Sequence, residues 1–274
     1  MEAPEAEPWL VYLSTNITPK QRRERLEALK GHLGGGGRAL VISTQVVEAG
    51  VDIDFPAVVR DLGPLDSIVQ VAGRCNREGQ QEQGHVYVLP LREGGCARIY
   101  GAVHAHVTRR LLEGREQLDE PEYADLVEQY FREAQERISQ EASCDLWSAY
   151  RHLSYDHFEG SALSDFHLIE SLDQVPIFVA FTAEDERWLM EEFKAQVLDE
   201  RDFQRRRAAY LRHRKRLHDY IIRPLLQRAV QNLPPAVADP DGLRWIPRGQ
   251  LQDYYDPETG FRWQESELTT AWVA

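Results

Sequence analysis

Two rhythms of apolar residues alternate along the first ninety positions. Residues 9–14 (Trp-Leu-Val-Tyr-Leu-Ser) form a short apolar run that predicts a strand. A helix opens just after it. Thr18 suits the N-cap, Pro19 the first helical position, and Gln21 completes a capping box with Thr18. Leu26, Leu29 and Leu33 recur at helical spacing, and Gly34 to Gly37 ends the pattern. Residues 39–42 are a buried-strand candidate and 57–62 another. Residues 67–77 read as a helix and 85–89 as a strand. Such alternation predicts a mostly parallel sheet covered by helices.

Past residue 90 the rhythm changes. Glu93-Gly94-Gly95 predicts a loop, and from about 98 to 143 the chain reads as charged, amphipathic helix. Val127, Tyr130, Phe131, Ala134 and Ile138 make its apolar side. Residues 175–181 are strand-like. Residues 183–198 are helical, with Trp188, Leu189, Phe193 and Val197 facing inward. A long helix is expected over 203–230, with a seam of Phe203, Tyr210, Leu217 and Ile221. Short strands are expected over 243–263 around the turn Asp256-Pro257-Glu258-Thr259-Gly260. No internal repeat is visible.

Composition narrows the class. Hydrophobic residues make up 42% and charged residues 28% of the 274, which is ordinary for a globular chain and excludes global disorder. No apolar run approaches the roughly 20 residues of a membrane helix. The acidic start (Met1-Glu2-Ala3-Pro4-Glu5) has no secretory pattern. Three cysteines, Cys75, Cys96 and Cys144, form no Cys-x-x-Cys pair. That argues against a disulfide framework or zinc site and fits a reducing cytoplasm. Against 45 acidic residues stand 32 basic ones, a formal charge of −13. A uniformly basic coat is thereby excluded, though a local basic channel is not.

Two segments carry candidate chemistry. In Gln70-Val71-Ala72-Gly73-Arg74-Cys75-Asn76-Arg77, a helix would set Gln70, Gly73, Arg74 and Arg77 on one face and Ile68, Val71, Ala72 and Cys75 on another. Two planar guanidiniums beside a glycine suit a polyphosphate. The structural alternative is a solvated face making ion pairs. Upstream, Ser43-Thr44 follows a strand and leads to Gly50-Val51-Asp52. Hydroxyls and amides at a strand's carboxyl end contact phosphates, Gly50 admits a close approach, and Asp52 would accept a ribose hydroxyl. Here the alternative is a plain strand–loop–strand connection capped by the hydroxyls.

Together the two segments resemble motifs V and VI of superfamily 2 helicases, in the order and separation of a second RecA-like domain. The wording is similar to the signature helicase–nuclease of type I CRISPR systems, nearest to a subtype I-C-like branch. The resemblance rests on Leu13-Ser14-Thr15-Asn16-Ile17-Thr18-Pro19 with Arg22 and Arg23, on 43–56, on Leu65-Asp66-Ser67-Ile68, and on Gly73 to Gly79. It covers about residues 9–91. Beyond these only Phe166-His167-Leu168-Ile169-Glu170, Val175-Pro176-Ile177 and 255–260 match loosely.

The resemblance implies an α/β fold. A RecA-like parallel-sheet domain, the second of a helicase and incomplete at its N-terminus, occupies 1–92. A helical linker (93–145) and a small α+β accessory domain (146–274) follow. By the same resemblance Arg77 and Arg74 are arginine fingers reaching ATP, with Mg2+, bound mainly on a preceding domain. Gln70 links nucleotide state to domain closure; Gly50, Asp52 and Gly73 border the nucleotide cleft; Ser43 and Thr44 touch single-stranded DNA. Where the family places Arg after the motif VI Gln, Val71 stands here, so that contact is absent or supplied otherwise. Implied partners are single-stranded DNA, the N-terminal helicase/nuclease portion and the CRISPR surveillance complex, with no membrane.

Nowhere does a Gly-x-x-x-x-Gly-Lys-Ser/Thr phosphate loop occur, nor does an Asp-Glu-x-x motif follow a strand as a Mg2+ site. His218-Asp219 alone makes no metal site. ATP hydrolysis and helicase action are therefore expected only when an N-terminal motor domain completes the site. The alternative is a non-catalytic fragment that binds DNA or the surveillance complex. The run from Arg201 to Arg216 is the densest positive charge in the chain. It is either a solvated face paired with Glu191, Glu192, Asp199 and Glu200, or a wall of the single-strand channel or a dock for an acidic or nucleic-acid surface of the surveillance complex. For Trp245, Tyr254, Tyr255 and Trp263, core packing is expected ahead of base stacking.

Overall fold

A computed structural model describes residues 8–47, 52–90, 95–139, 141–156, 162–166, 173–237 and 242–263. In chain order its elements begin β1 (Trp9–Leu13), α1 (Pro19–Gly34), β2 (Ala39–Ser43), β3 (Ala57–Asp61), α2 (Leu65–Ala72) and β4 (His85–Leu89). Four helices follow: α3 (Gly95–Tyr100), α4 (Ala102–Leu112), α5 (Tyr123–Arg137) and α6 (Glu141–Arg151). Then come β5 (Ile177–Val179), α7 (Ala183–Arg187), α8 (Phe203–Tyr220), β6 (Ile221–Ile222) and α9 (Leu226–Ala229). The last are β7 (Arg244–Ile246), α10 (Leu251–Tyr254), β8 (Tyr255–Asp256) and β9 (Gly260–Phe261). The fold is mixed α/β with small parallel sheets. It divides into two compact units, one of residues 1–47 with 172–274, the other of 48–171.

In the first unit β1 and β2 pair in parallel, from Trp9↔Ala39 to Leu13↔Ser43. Val11, Leu13 and Leu29 are buried, while Leu10, Leu40 and Ile42 on the other side of the pair are exposed. The buried strand expected over 39–42 is thus only partly covered. The same unit holds a three-stranded sheet, β6-β5-β7, with β5 antiparallel to β6 and parallel to β7. One core cluster joins Phe178, Trp188, Leu189, Phe193, Leu217 and Tyr220. A second joins Ile177, Val179, Ile222, Ile246, Tyr255 and Phe261. Trp188, Leu189, Phe193 and Val197 all point inward as the spacing predicts, and α7 continues through them as a wide π-type helix, Trp188–Leu198.

Two sequence expectations fail here for identifiable reasons. The helix expected over 203–230 ends at Tyr220, because Ile221 and Ile222 pair with β5 and Pro224 cannot continue a helix. Phe203, assigned to its seam, is exposed. The capping box at Thr18 is also interrupted. Thr18 Oγ1 accepts the Gln21 amide at 3.4 Å, but the Thr18 amide donates to the Tyr255 hydroxyl (3.1 Å), which donates on to Gln21 Oε1 (2.5 Å). The hairpin of β8 and β9 therefore seats itself on the start of α1. Phe261 N–H donates to Asn16 O (3.0 Å), and Arg25 donates to the carbonyls of Tyr12, Pro257 and Glu258. Tyr255 belongs to the core, as expected.

In the second unit β3 and β4 pair in parallel, from Ala57↔His85 to Asp61↔Leu89. Contrary to the buried strand expected there, no residue of β3 is buried and Val59 is exposed. Leu65 of α2 packs with Val107 and Leu111 of α4 and with Leu126 and Tyr130 of α5. On α5 the sequence pattern is half right: Tyr130 and Ala134 are buried, whereas Phe131 and Ile138 are exposed.

Candidate functional site

The Arg-rich segment lies in the second unit and is not the helix its spacing suggests. Helix α2 stops at Ala72, with Gly73 as its C-cap. Beyond it, Cys75 forms a parallel bridge with Phe55, in which Phe55 N–H donates to Arg74 O (3.0 Å) and Asn76 N–H donates to Phe55 O (2.8 Å). That bridge to a residue twenty positions upstream outcompetes another helical turn. Gln70, Gly73, Arg74 and Arg77 consequently do not share a helix face. Gln70 is exposed on the last turn of α2, Arg74 is half-buried, and Arg77 is exposed on a loop.

The loop is held by two side chains. Asp54 accepts the amides of Arg77 (2.8 Å) and Glu78 (3.0 Å) on its two carboxylate oxygens. Asn76 adopts a left-handed backbone (φ 49°) and closes on Gln81 in both directions, donating to its carbonyl (2.8 Å) and accepting its amide (2.9 Å). An added Cβ at Gly84 would meet Asn76 Cβ at 2.8 Å and Cys75 Sγ at 2.9 Å, so a glycine is needed there. The Cys75 thiol donates to His85 O (3.4 Å), and burial pushes its pKa up, so it is structural rather than nucleophilic.

So fixed, Arg77 reaches Asp52. Its Nη1 lies 2.6 Å from Asp52 Oδ1, with the side chains 48% and 80% exposed. This pair sits at the surface, not in an interior. A Cβ at Gly73 would meet nothing nearer than Gln70 O at 3.5 Å, and nothing in the chain itself forces a glycine there. Ser43 and Thr44 stand at the carboxyl end of β2 in the first unit. Ser43 Oγ donates to Thr44 O (2.8 Å), and Thr44 N–H donates to Leu13 O (3.1 Å). Gly50 lies outside the described residues, as do His167 to Glu170.

Sequence reasoning singled out Asp52 and Arg77 but missed Asp54 and Asn76, which shape the loop between them. The signals were present. Asp52-Ile53-Asp54 places two carboxylates at strand alternation, and an Asn before an Arg-Glu-Gly turn is a known left-handed site. Among the described residues no group of three or more His, Cys, Asp and Glu is placed to hold a metal ion. No helix of the described residues is long and apolar enough to cross a membrane.

This exposed Arg–Asp pair and its Asp54-held loop occupy a segment with close relatives. Residues 2–80 match the family model described as CRISPR-associated nuclease/helicase Cas3, C-terminal. The chain is 43% identical over 83 residues to the CRISPR-associated nuclease/helicase Cas3 of Haloferax volcanii, covering 30% of this chain and 9% of that protein. With the Cas3 of Methanothermobacter thermautotrophicus it shares 28% over 111 residues, 39% of this chain and 13% of that one. It spans only about a tenth of the length of these relatives. The fold is similar to that of T. fusca Cas3 with ADP (TM-score 0.56, 19% identity, 89% of this chain and 33% of that one). It is also similar to a chain of a CRISPR RNA-guided surveillance complex, pre-nicking (TM-score 0.53, 18% identity, 88% and 34%). Residues 2–80 are thus similar to the C-terminal helicase region of Cas3.

Proposed function

We propose that this chain supplies the C-terminal portion of an ATP-dependent, single-strand-translocating helicase of CRISPR antiviral defence. In this reading residues 1–92 form most of a second RecA-like domain, 93–145 a linker and 146–274 an accessory domain. Arg77, with Arg74, stabilises the charge that develops on the transferring phosphate of an ATP held by a preceding domain. Gln70 links nucleotide state to domain closure, Gly73, Gly50 and Asp52 border that nucleotide, and Ser43 and Thr44 touch the strand. The similar structures of T. fusca Cas3 with ADP and of a CRISPR RNA-guided surveillance complex support nucleotide and complex as partners here. The free cysteines fit a cytoplasmic setting. The resemblance implies Mg2+ with that ATP, held mainly by the preceding domain.

One observation carries the reading: the Arg77–Asp52 pair is exposed and its loop is fixed by Asp54. An exposed ion pair contributes about 0–1 kcal/mol, so trading the Asp52 carboxylate for a phosphate costs little. Arginine fingers in phosphoryl transfer accelerate hydrolysis by roughly 10³–10⁵, or about 4–7 kcal/mol. The gain exceeds the cost several-fold, and the ion pair serves as a resting state. The test mixes the chain with an N-terminal helicase/nuclease portion and follows DNA-stimulated ATP hydrolysis. Arg77→Ala should lower the reconstituted rate at least about 10³-fold; an unchanged rate ends the assignment. Strand binding without any rescue of hydrolysis would instead support a non-catalytic fragment, in which Arg77 simply remains paired with Asp52.

A further inference from the structure

From the exposed face of α8 we infer that the first unit carries a separate binding surface for the phosphate backbone of a single-stranded nucleic acid. Within Phe203–Tyr220 there are seven Arg and Lys, two His and one acidic residue, Asp219, in a chain of net charge −13. Like charges one turn apart repel, so such a helix wants anions. One side finds them inside the unit. Arg216 lies 3.4 Å from both Glu184 and Asp185, Arg212 donates to Gln196 (3.3 Å), and His213 approaches Glu192 (3.8 Å). The solvated-face explanation accounts for that side only.

The opposite side is not neutralised. Arg207, Leu211, Arg214 and His218 follow one another at helical spacing, with Lys215 alongside, and all five are exposed. Among the described residues the Arg207, Arg214 and Lys215 side chains form no ion pair or hydrogen bond. The one acid of the helix, Asp219, is already taken by Arg23 of α1 at 2.9 Å. Burial, and after it Arg223 and Arg214, push the His218 imidazole pKa down. Leu211, Arg214, Lys215, His218 and Asp219 border a depression of ≈ 320 Å³.

Two features favour nucleic acid over an acidic protein. The cations are mostly guanidiniums, whose planar forks match phosphate and stack on bases. Exposed Leu211 (56%) stands among them, and a turn before Arg207 the exposed Phe203 ring (64%), with Arg206 over it, offers a face on which a base can stack. From Arg207 to His218 the stripe runs about 16 Å along the helix axis.

This surface is independent of the Arg77 reading, and its assay contains no ATP. The full chain is titrated against a fluorescently labelled oligothymidylate at 50 to 200 mM salt, and binding is read by anisotropy. Three neutralised phosphates contribute about 2 to the slope of log affinity against log salt, or roughly 20-fold over that range. The triple variant Arg207→Gln, Arg214→Gln, Lys215→Gln should lose that contribution. Its thermal stability should stay or rise as self-repulsion is relieved, which separates lost binding from misfolding. Arg207→Lys with Arg214→Lys should keep the slope. An unchanged slope in the triple variant overturns the inference, as does equal competition by polyglutamate at matched charge.

Discussion

Replacing Tyr255 with Phe removes a single oxygen from the core of the first unit and tests whether the hairpin of β8 and β9 holds the start of α1. The ring is 1% exposed and Thr18 is 0% exposed. The lost hydroxyl accepts the Thr18 amide at 3.1 Å and donates to Gln21 Oε1 at 2.5 Å. Burial raises the phenol pKa, so it stays a donor at neutral pH. Without it a buried amide has no partner, at a cost of about 1–3 kcal/mol. One relief is available: Gln21 can turn back to the Thr18 amide and complete the capping box that the tyrosine interrupts. We expect Tyr255→Phe to cost about 2 kcal/mol in urea unfolding, and Tyr255→Phe with Gln21→Ala to cost more than the sum of the single changes. Hydrogen exchange of the Thr18 amide reads the effect locally; 2 kcal/mol corresponds to roughly 30-fold faster opening. Unfolding and exchange both unchanged would mean that the hairpin merely lies against the helix.

Gly260 gives a harsher version of the same test. Its φ is +88°, and an added Cβ would fall 2.3 Å from Asn16 O, so Gly260→Ala should cost more than Tyr255→Phe and free the Asn16 carbonyl from Phe261, as urea unfolding and amide exchange would register. In the second unit, Tyr130 is buried against α4, 2.6 Å from His104 Nδ1, and burial, with the nearby Asp66 and Cys96, raises its pKa to about 12. The folded state thus favours the neutral phenol. Its contribution is complete below the unfolded value of about 10 and is lost as pH climbs through about 12, a swing of order 2–3 kcal/mol. Tyr130→Phe should remove that part of the alkaline loss, visible as the difference between the two proteins' urea unfolding at pH 9 and pH 12; identical losses would refute the assignment.

What the sequence revealed and what it hid divide by the range of the forces involved. The start of α1 was legible because Thr18, Pro19 and Gln21 are local signals, and the inward face of 183–198 was legible because its period is local too. The capping partner of Thr18 was not, since Tyr255 lies 237 residues away. The α8 terminus was readable in principle, for Pro224 forbids the longer helix, but apolar spacing outweighed it. Most instructive is the stretch from Gln70 to Arg77. Its spacing of three, one and three fits a helix, yet the chain leaves the helix at Gly73 and bridges Phe55. Both charged ends of the candidate site, Asp52 and Arg77, were singled out for a ligand, and the fold pairs them with each other. Pattern reasoning assigns charges to absent partners because it cannot see which charges the fold brings together. Since that pairing remains at the surface, its replacement by a phosphate would cost little, as the role proposed for Arg77 requires.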